Sequence, residues 1–152
     1  MLLRALDLAD ETATRALGAA LAPVLRGGDI LRLEGDLGAG KSTLARGLIA
    51  ALTGARDAPS PTFTLVETYD GPDFALWHFD LYRLEAPEDV WELGLEDALD
   101  GGLALIEWPE RIAGLLPDGA LTVQLEVAGA ARAAQFQGDA TWKTRLAAAG
   151  IA

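Results

Sequence analysis

The sequence predicts a single α/β domain in three layers around a mixed, mainly parallel central sheet, and three observations carry that prediction. Strand-like apolar segments alternate with amphipathic helical ones along most of the chain. Two pairs of strand-like segments are joined by tight turns, so antiparallel hairpins share the sheet with parallel crossovers. A glycine-dense loop within "LEGDLGAGKSTLARGL" stands between an apolar run and a helix, the order in which a phosphate-binding loop is built.

"DETATRALGAALAPVL" places Ala13, Leu17, Leu21 and Leu25 at helical spacing, with Asp10 as N-cap and Pro23 ending or kinking the helix. "ILRLE", Ile30 to Glu34, reads as a short strand after the punctuation "GGD". Past the glycine loop, residues 41–52 read as a helix with Leu44, Leu48 and Leu52 along one face. "GARDAPSPTF" is a loop, and "FTLVETY" and "FALWHFDLY" are strands turned at "DGPD" into a hairpin. "EAPEDVWELG" reads as a helix with Pro87 in its first turn, Glu88 and Asp89 at its positive end and Gly94 as its stop. The acids of residues 85–96 form its solvated face. "LALIE" is a buried strand ending on a carboxylate, and "ALTVQLEV" alternates cleanly before a second hairpin with "ARAAQFQ". "ATWKTRLAAAG" is a closing helix. Trp77, Trp91 and Trp142 are expected to pack.

At 152 residues the chain can bury one sizeable core. No apolar run approaches the ~20 residues that span a bilayer, and "MLLRALDLADE" turns acidic too soon for a secretory signal. Cysteine is absent, which excludes disulfides and thiolate metal sites and is compatible with a reducing cytoplasm. The formal charge of −11 opposes direct gripping of a phosphate backbone, which proceeds by counterion release to Lys and Arg. Lys41 is the sole lysine before Lys143; arginine serves at every other cationic position.

Gly35, Gly40, Lys41 and Ser42 satisfy G-x-x-x-x-G-K-[ST]. Glycines allow positive φ and bring backbone amides around phosphate oxygens, while the following helix offers its positive end. The expected nucleotide-binding set is Asp36, Gly38, Ala39, Gly40, Lys41, Ser42 and Thr43, in which Lys41 reaches the β- and γ-phosphates and Ser42 ligates Mg²⁺. A carboxylate is needed beside that metal. Glu107 and Asp80 compete for the role; the uninterrupted "LALIE" favours Glu107, leaving Asp80 to hold a metal-bound water or to position the attacking one. In "SPTF", Thr62 is placed to sense the γ-phosphate. Trp108, directly after Glu107, is a candidate lining residue. His78 interrupts an alternating strand and reads as a satisfied core or edge histidine. The chain holds no asparagine, so an Asn-Lys-x-Asp guanine-reading loop is impossible and ATP is the expected nucleotide.

"EGDLGAGKST", "SPTFTLVETY", "HFDLYRL", "GLEDAL" and "IEWPER", in this order and spacing, resemble the TsaE (YjeE) family of small bacterial ATPases, from about Asp7 to Phe136. The resemblance implies a P-loop NTPase fold with about seven strands, formed by residues 1–152 as one P-loop ATPase domain. It implies an ATPase subunit of the machinery that installs threonylcarbamoyl on N6 of the adenosine next to the tRNA anticodon. In that machinery TsaD performs the transfer with TsaB as its partner, and TsaE binds the pair and resets it by ATP turnover. The matched positions are Lys41 for phosphate, Ser42 and Glu107 for magnesium, Asp80 and Thr62 for catalytic and loop roles, and Trp108. The segment "DLADETAT" is implied to lie near the adenine. Serine at 42 departs from the threonine frequent in relatives, a change the metal tolerates.

The leading expectation is thus a cytoplasmic, partner-dependent ATPase that meets tRNA only through its protein partners and no membrane. No arginine finger is obvious; Arg83 and Arg111 are nearest in sequence to the proposed site, so intrinsic turnover is expected to be slow. A small-metabolite kinase and a non-catalytic, ATP-gated interaction module are the alternatives.

Overall fold

A computed structural model describes residues 1–151. Strand β1 (Leu2–Leu8) leads into helix α1 (Glu11–Leu21), whose N-cap Asp10 accepts the Ala13 amide at 2.8 Å. Strand β2 (Ile30–Glu34) feeds the glycine loop and helix α2 (Lys41–Thr53). The hairpin β3 (Val66–Asp70) and β4 (Ala75–Asp80) follows, then a 3₁₀ segment (Pro87–Leu93), helix α3 (Leu95–Leu99) and strand β5 (Leu103–Glu107). A second 3₁₀ segment (Pro109–Leu115), the hairpin β6 (Leu121–Ala128) and β7 (Ala131–Gln137), and helix α4 (Ala140–Ala148) complete the fold.

The seven strands lie in the order β1-β7-β6-β2-β5-β4-β3. The central pairs β6·β2, β2·β5 and β5·β4 are parallel, and the outer pairs β1·β7, β7·β6 and β4·β3 are antiparallel. The mixed sheet, parallel in its middle, is as expected, and every residue of β5 is buried. One face packs Leu31, Leu33, Leu103 and Leu105 against α1, α2 and α4; the other packs Ile30, Phe79, Ala104 and Ile106 against the short helical segments. Because β2, β4 and β5 run parallel, their carboxyl ends share one edge, where ligands of open α/β sheets bind.

Several elements differ from the sequence reading. β1 is unforeseen: as an edge strand it buries only Leu8 fully, so "LLRALDL" carries no clean alternation. Residues 63–65 are not strand; Leu65 donates to the Pro61 carbonyl at 2.7 Å and takes φ 67°, leaving Phe63 83% exposed. Within the segment 85–94, Pro87–Leu93 is a 3₁₀ segment rather than an α-helix. Val90 is its sole buried residue, too little apolar surface to hold a longer helix in place. Gly94, at φ 94°, ends it as expected. Trp142 packs, but Trp91 stays 44% exposed.

α1 and α2 approach backbone to backbone. A Cβ on Gly18 would lie 2.0 Å from the Leu44 carbonyl oxygen, and one on Gly47 2.1 Å from that of Arg15. Glycine inside these helices is a packing device, which fixes the start of α2 relative to α1.

Candidate phosphate and metal site

The glycine loop leaves β2 at the shared strand edge. Gly35 (φ 146°), Gly38 (φ 81°) and Gly40 (φ 106°) all take backbone that side chains resist. At Gly35 space is also closed, since a Cβ would stand 2.5 Å from the Leu125 carbonyl oxygen. Gly40 begins α2 with no side chain capping it, so the first amides of a 13-residue helix face the cleft with the helix dipole behind them.

Lys41 is nearly buried. Its ammonium donates to the Gly35 carbonyl and lies 3.4 Å from the Trp108 ring centroid. Burial lowers its pKa, opposed by the charges of Glu107, Glu110, Asp80 and Asp36. Ser42 Oγ donates to Glu107 Oε1 at 3.2 Å. Glu107 and Asp80 end adjacent parallel strands in register. Burial raises the Asp80 pKa and the Glu107 charge adds to the rise, while the Tyr82 amide, donating to Oδ1 at 3.1 Å, acts against it. Both carboxylates therefore reach the loop, with Glu107 the one that meets Ser42.

A cleft of about 280 Å³ gathers Gly38, Gly40, Lys41, Ser42, Thr43, Thr62, Asp80, Glu107 and Trp108. Ser60 and Thr62 share a hydrogen bond of 3.0 Å at its wall. Ala39 and Asp36 lie apart from it: Ala39 is fully buried with its amide on the Asp36 carbonyl, and both border a neighbouring hollow. Trp108 holds φ 60°, a conformation that costs a bulky residue about 1–3 kcal/mol. The kink sets its ring against Lys41 and Tyr82, the latter 4.9 Å away between centroids. Across the loop, Asp10, Glu11, Thr14 and Arg132 line a second hollow with Gly38, Gly40 and Thr43. That hollow is where the segment implied to lie near the adenine falls. Arg83 lies over Phe63 and Arg111 over Tyr82, with guanidinium-to-ring distances of 4.8 and 5.9 Å.

Two site contacts escaped the sequence. Arg132, on β7, donates through Nε and Nη2 to the Gly38 carbonyl at 3.2 and 3.1 Å; nothing local in "ARAAQFQ" announces a partner so distant in sequence. His78 Nε2 lies 2.7 Å from Glu107 Oε2. Here a signal existed, because alternation along β4 puts His78 on the face of Asp80.

The arrangement suits a polyanion bound with a hard divalent cation. Among the described residues no three His, Cys, Asp or Glu side chains form a metal cluster. The Ser42 hydroxyl and Glu107 carboxylate are a minimal oxygen pair, which fits Mg²⁺, an ion usually held by one or two carboxylates together with substrate phosphates. No helix among the described residues is long and apolar enough to cross a membrane.

Residues 8–134 match the family model of the threonylcarbamoyl adenosine biosynthesis protein TsaE. The tRNA threonylcarbamoyladenosine biosynthesis protein TsaE of Rickettsia felis is 46% identical over 123 residues, 80% of this chain and 72% of that protein. Its Bacillus subtilis counterpart is 38% identical over 117 residues, 76% of this chain and 73% of that protein. The crystal structure of Bacillus subtilis YdiB superposes with a TM-score of 0.80 at 30% identity, covering 99% of this chain and 96% of that one.

Proposed function

The chain belongs to the TsaE family, whose role is in tRNA threonylcarbamoyladenosine biosynthesis, and on that premise we propose that it is the pathway's ATP-binding and ATP-hydrolysing subunit. Residues 1–152 act as one P-loop ATPase domain on the TsaD–TsaB pair, meeting tRNA through those proteins in the cytoplasm. The observation that carries this reading is the convergence of Lys41, Ser42 and Glu107 on a glycine loop at the carboxyl edge of the sheet.

The residues divide the work. Backbone amides at the start of α2 and the Lys41 ammonium bind the β- and γ-phosphates. Ser42 and Glu107 hold Mg²⁺. When bound, that ion neutralises charge developing on the phosphate oxygens. Asp80, a neighbouring carboxylate at the same edge, orients the attacking water. Thr62 answers the γ-phosphate and orders its loop. Trp108 walls the cleft beside Lys41 and limits water there. Asp36, Gly38, Ala39, Gly40 and Thr43 shape the cradle, Asp36 and Ala39 through the loop backbone.

The test measures ATP turnover by the purified chain with and without TsaD–TsaB, alongside E107Q. Stimulated turnover, with E107Q still binding ATP but not hydrolysing it, supports the proposal. A wild-type chain that binds ATP and supports modification without turnover would make it an ATP-gated binding module. Phosphoryl transfer to an acceptor faster than to water would make it a kinase.

A further inference from the structure

We propose that His78 is a positioning residue, holding one carboxylate oxygen of Glu107 so that the other is turned toward Ser42 and the metal. The inference rests on the metal site proposed above. His78 is 1% exposed on β4, two residues before Asp80, and pairs in register with Leu105, two residues before Glu107. Its Nε2 donates to Glu107 Oε2 at 2.7 Å, while Ser42 Oγ lies nearer Oε1, at 3.2 Å, than Oε2, at 3.5 Å. An ionised carboxylate only accepts, so Nε2 carries the hydrogen.

Glu107 is the side-chain partner of the imidazole; Nδ1 is buried and meets none among the described residues. The neighbours on its face, Leu76 and Leu105, are fully buried, so a leucine would suit the packing better. A buried imidazole among these leucines is explained by the carboxylate it holds. Orientation of a ligating carboxylate by an outer hydrogen bond is a general lever on metal affinity. Here it prevents Glu107 from turning Oε2 toward Lys41 or Asp80 and keeps Oε1 beside Ser42.

The experiment compares the full-length wild type with H78F, H78Q and E107A, using ADP in EDTA by calorimetry and Mn²⁺ titrated into the protein–ADP complex by electron paramagnetic resonance. H78F keeps the ring volume and removes the donor; H78Q restores an amide donor of similar reach. Expected are metal-free ADP affinity within about twofold of wild type and Mn²⁺ affinity lowered about 10- to 100-fold in H78F, with H78Q recovering most of the loss. Mn²⁺ binding in H78F equal to or tighter than wild type, while E107A loses it, overturns the role of His78 and leaves the metal site standing. Mn²⁺ binding indifferent to E107A overturns both. Should H78F not fold, H78M against H78Q makes the same comparison, a non-donor against a donor of similar length; equal Mn²⁺ affinities in the two overturn the inference.

Discussion

Replacing Gly47 by alanine tests whether the two helices behind the nucleotide loop are held by direct backbone contact. The added Cβ would stand 2.1 Å from the Arg15 carbonyl oxygen and 2.9 Å from its carbon. Ordinary contact begins at 3.4 Å, so α1 and α2 must part by about 1.3 Å, along a contact that Gly18 closes equally tightly one turn away. Overpacking of this kind costs typically about 1–3 kcal/mol, and more where backbone rather than side chain must move. Against it, alanine inside a helix gains up to about 1 kcal/mol over glycine. Because backbone atoms are the obstruction, the upper end of that cost applies, about 3 kcal/mol, and the net expectation is a destabilisation of about 2 kcal/mol, or about 4–8 °C in Tm at this chain length. Gly114 supplies the control: a Cβ there meets nothing within 4 Å and needs no positive φ, so G114A should be neutral or gain a few tenths of a kcal/mol. Thermal and urea denaturation of the two variants beside wild type decide the matter. A G47A protein melting with wild type or above it would refute the argument, because helix propensity alone would then have outweighed the clash.

Three further outcomes follow from the contacts at and behind the site. Asp80 has its pKa raised by burial and by Glu107; a raised acid stabilises the fold below its ordinary pKa and loses that contribution as pH rises through the folded value. D80N should therefore melt above wild type at neutral pH, with the gap closing as pH falls toward the ordinary aspartate range, and should lose turnover; a lower melting point at pH 7 would refute this. R132A removes two hydrogen bonds to the Gly38 carbonyl. Calorimetry with ADP should show a loss of about 1 kcal/mol, roughly fivefold in affinity. R145A frees Asp29, which Arg145 engages at 2.5 and 3.1 Å in a part-buried pair. Urea denaturation should register about 2 kcal/mol of destabilisation, with ADP binding by the folded variant unchanged because that clamp holds α4 and lies away from the loop.

The parts of the fold legible in the sequence are those where one local signal has one meaning. Strand, glycine loop and helix between residues 30 and 53 were legible because positive φ at Gly35, Gly38 and Gly40 has few other uses. β5 was legible because a continuous apolar run ending on Glu107 fits a strand buried on both faces. β1 was not, since pairing with β7 supplies what its own pattern lacks. The 3₁₀ segment at 87–93 has start and stop signals shared by both helix types, and only the shortage of buried surface separates them. Arg132 was hidden for a third reason, since its partner, the Gly38 carbonyl, is brought near by the sheet; for His78 the face was legible from alternation, and only its partner Glu107 was not.

On the proposed function an acidic chain binds an acidic ligand, and its attraction must then be local. At physiological ionic strength, exposed charges separated by more than about 8 Å are largely screened, so the surface charge of −11 contributes little at the loop, where contact distances are about 3 Å. The conflict is confined to Lys41, whose burial disfavours its charge while Glu107, Glu110, Asp80 and Asp36 restore it. Those carboxylates stabilise the ammonium yet repel phosphate. Hydrogen bonds from Ser42 and His78 to Glu107 reduce that repulsion, and Trp108 accepts a strained φ to lay a ring, which attracts the cation without adding negative charge, against Lys41. On the proposed function, the anion would be met by one ammonium and helix-start amides, and a divalent cation travelling with it would cancel the remaining carboxylate charge. On this reasoning, nucleotide and metal bind with positive coupling, and the affinity for ADP should rise with Mg²⁺ in wild type far more than in E107A.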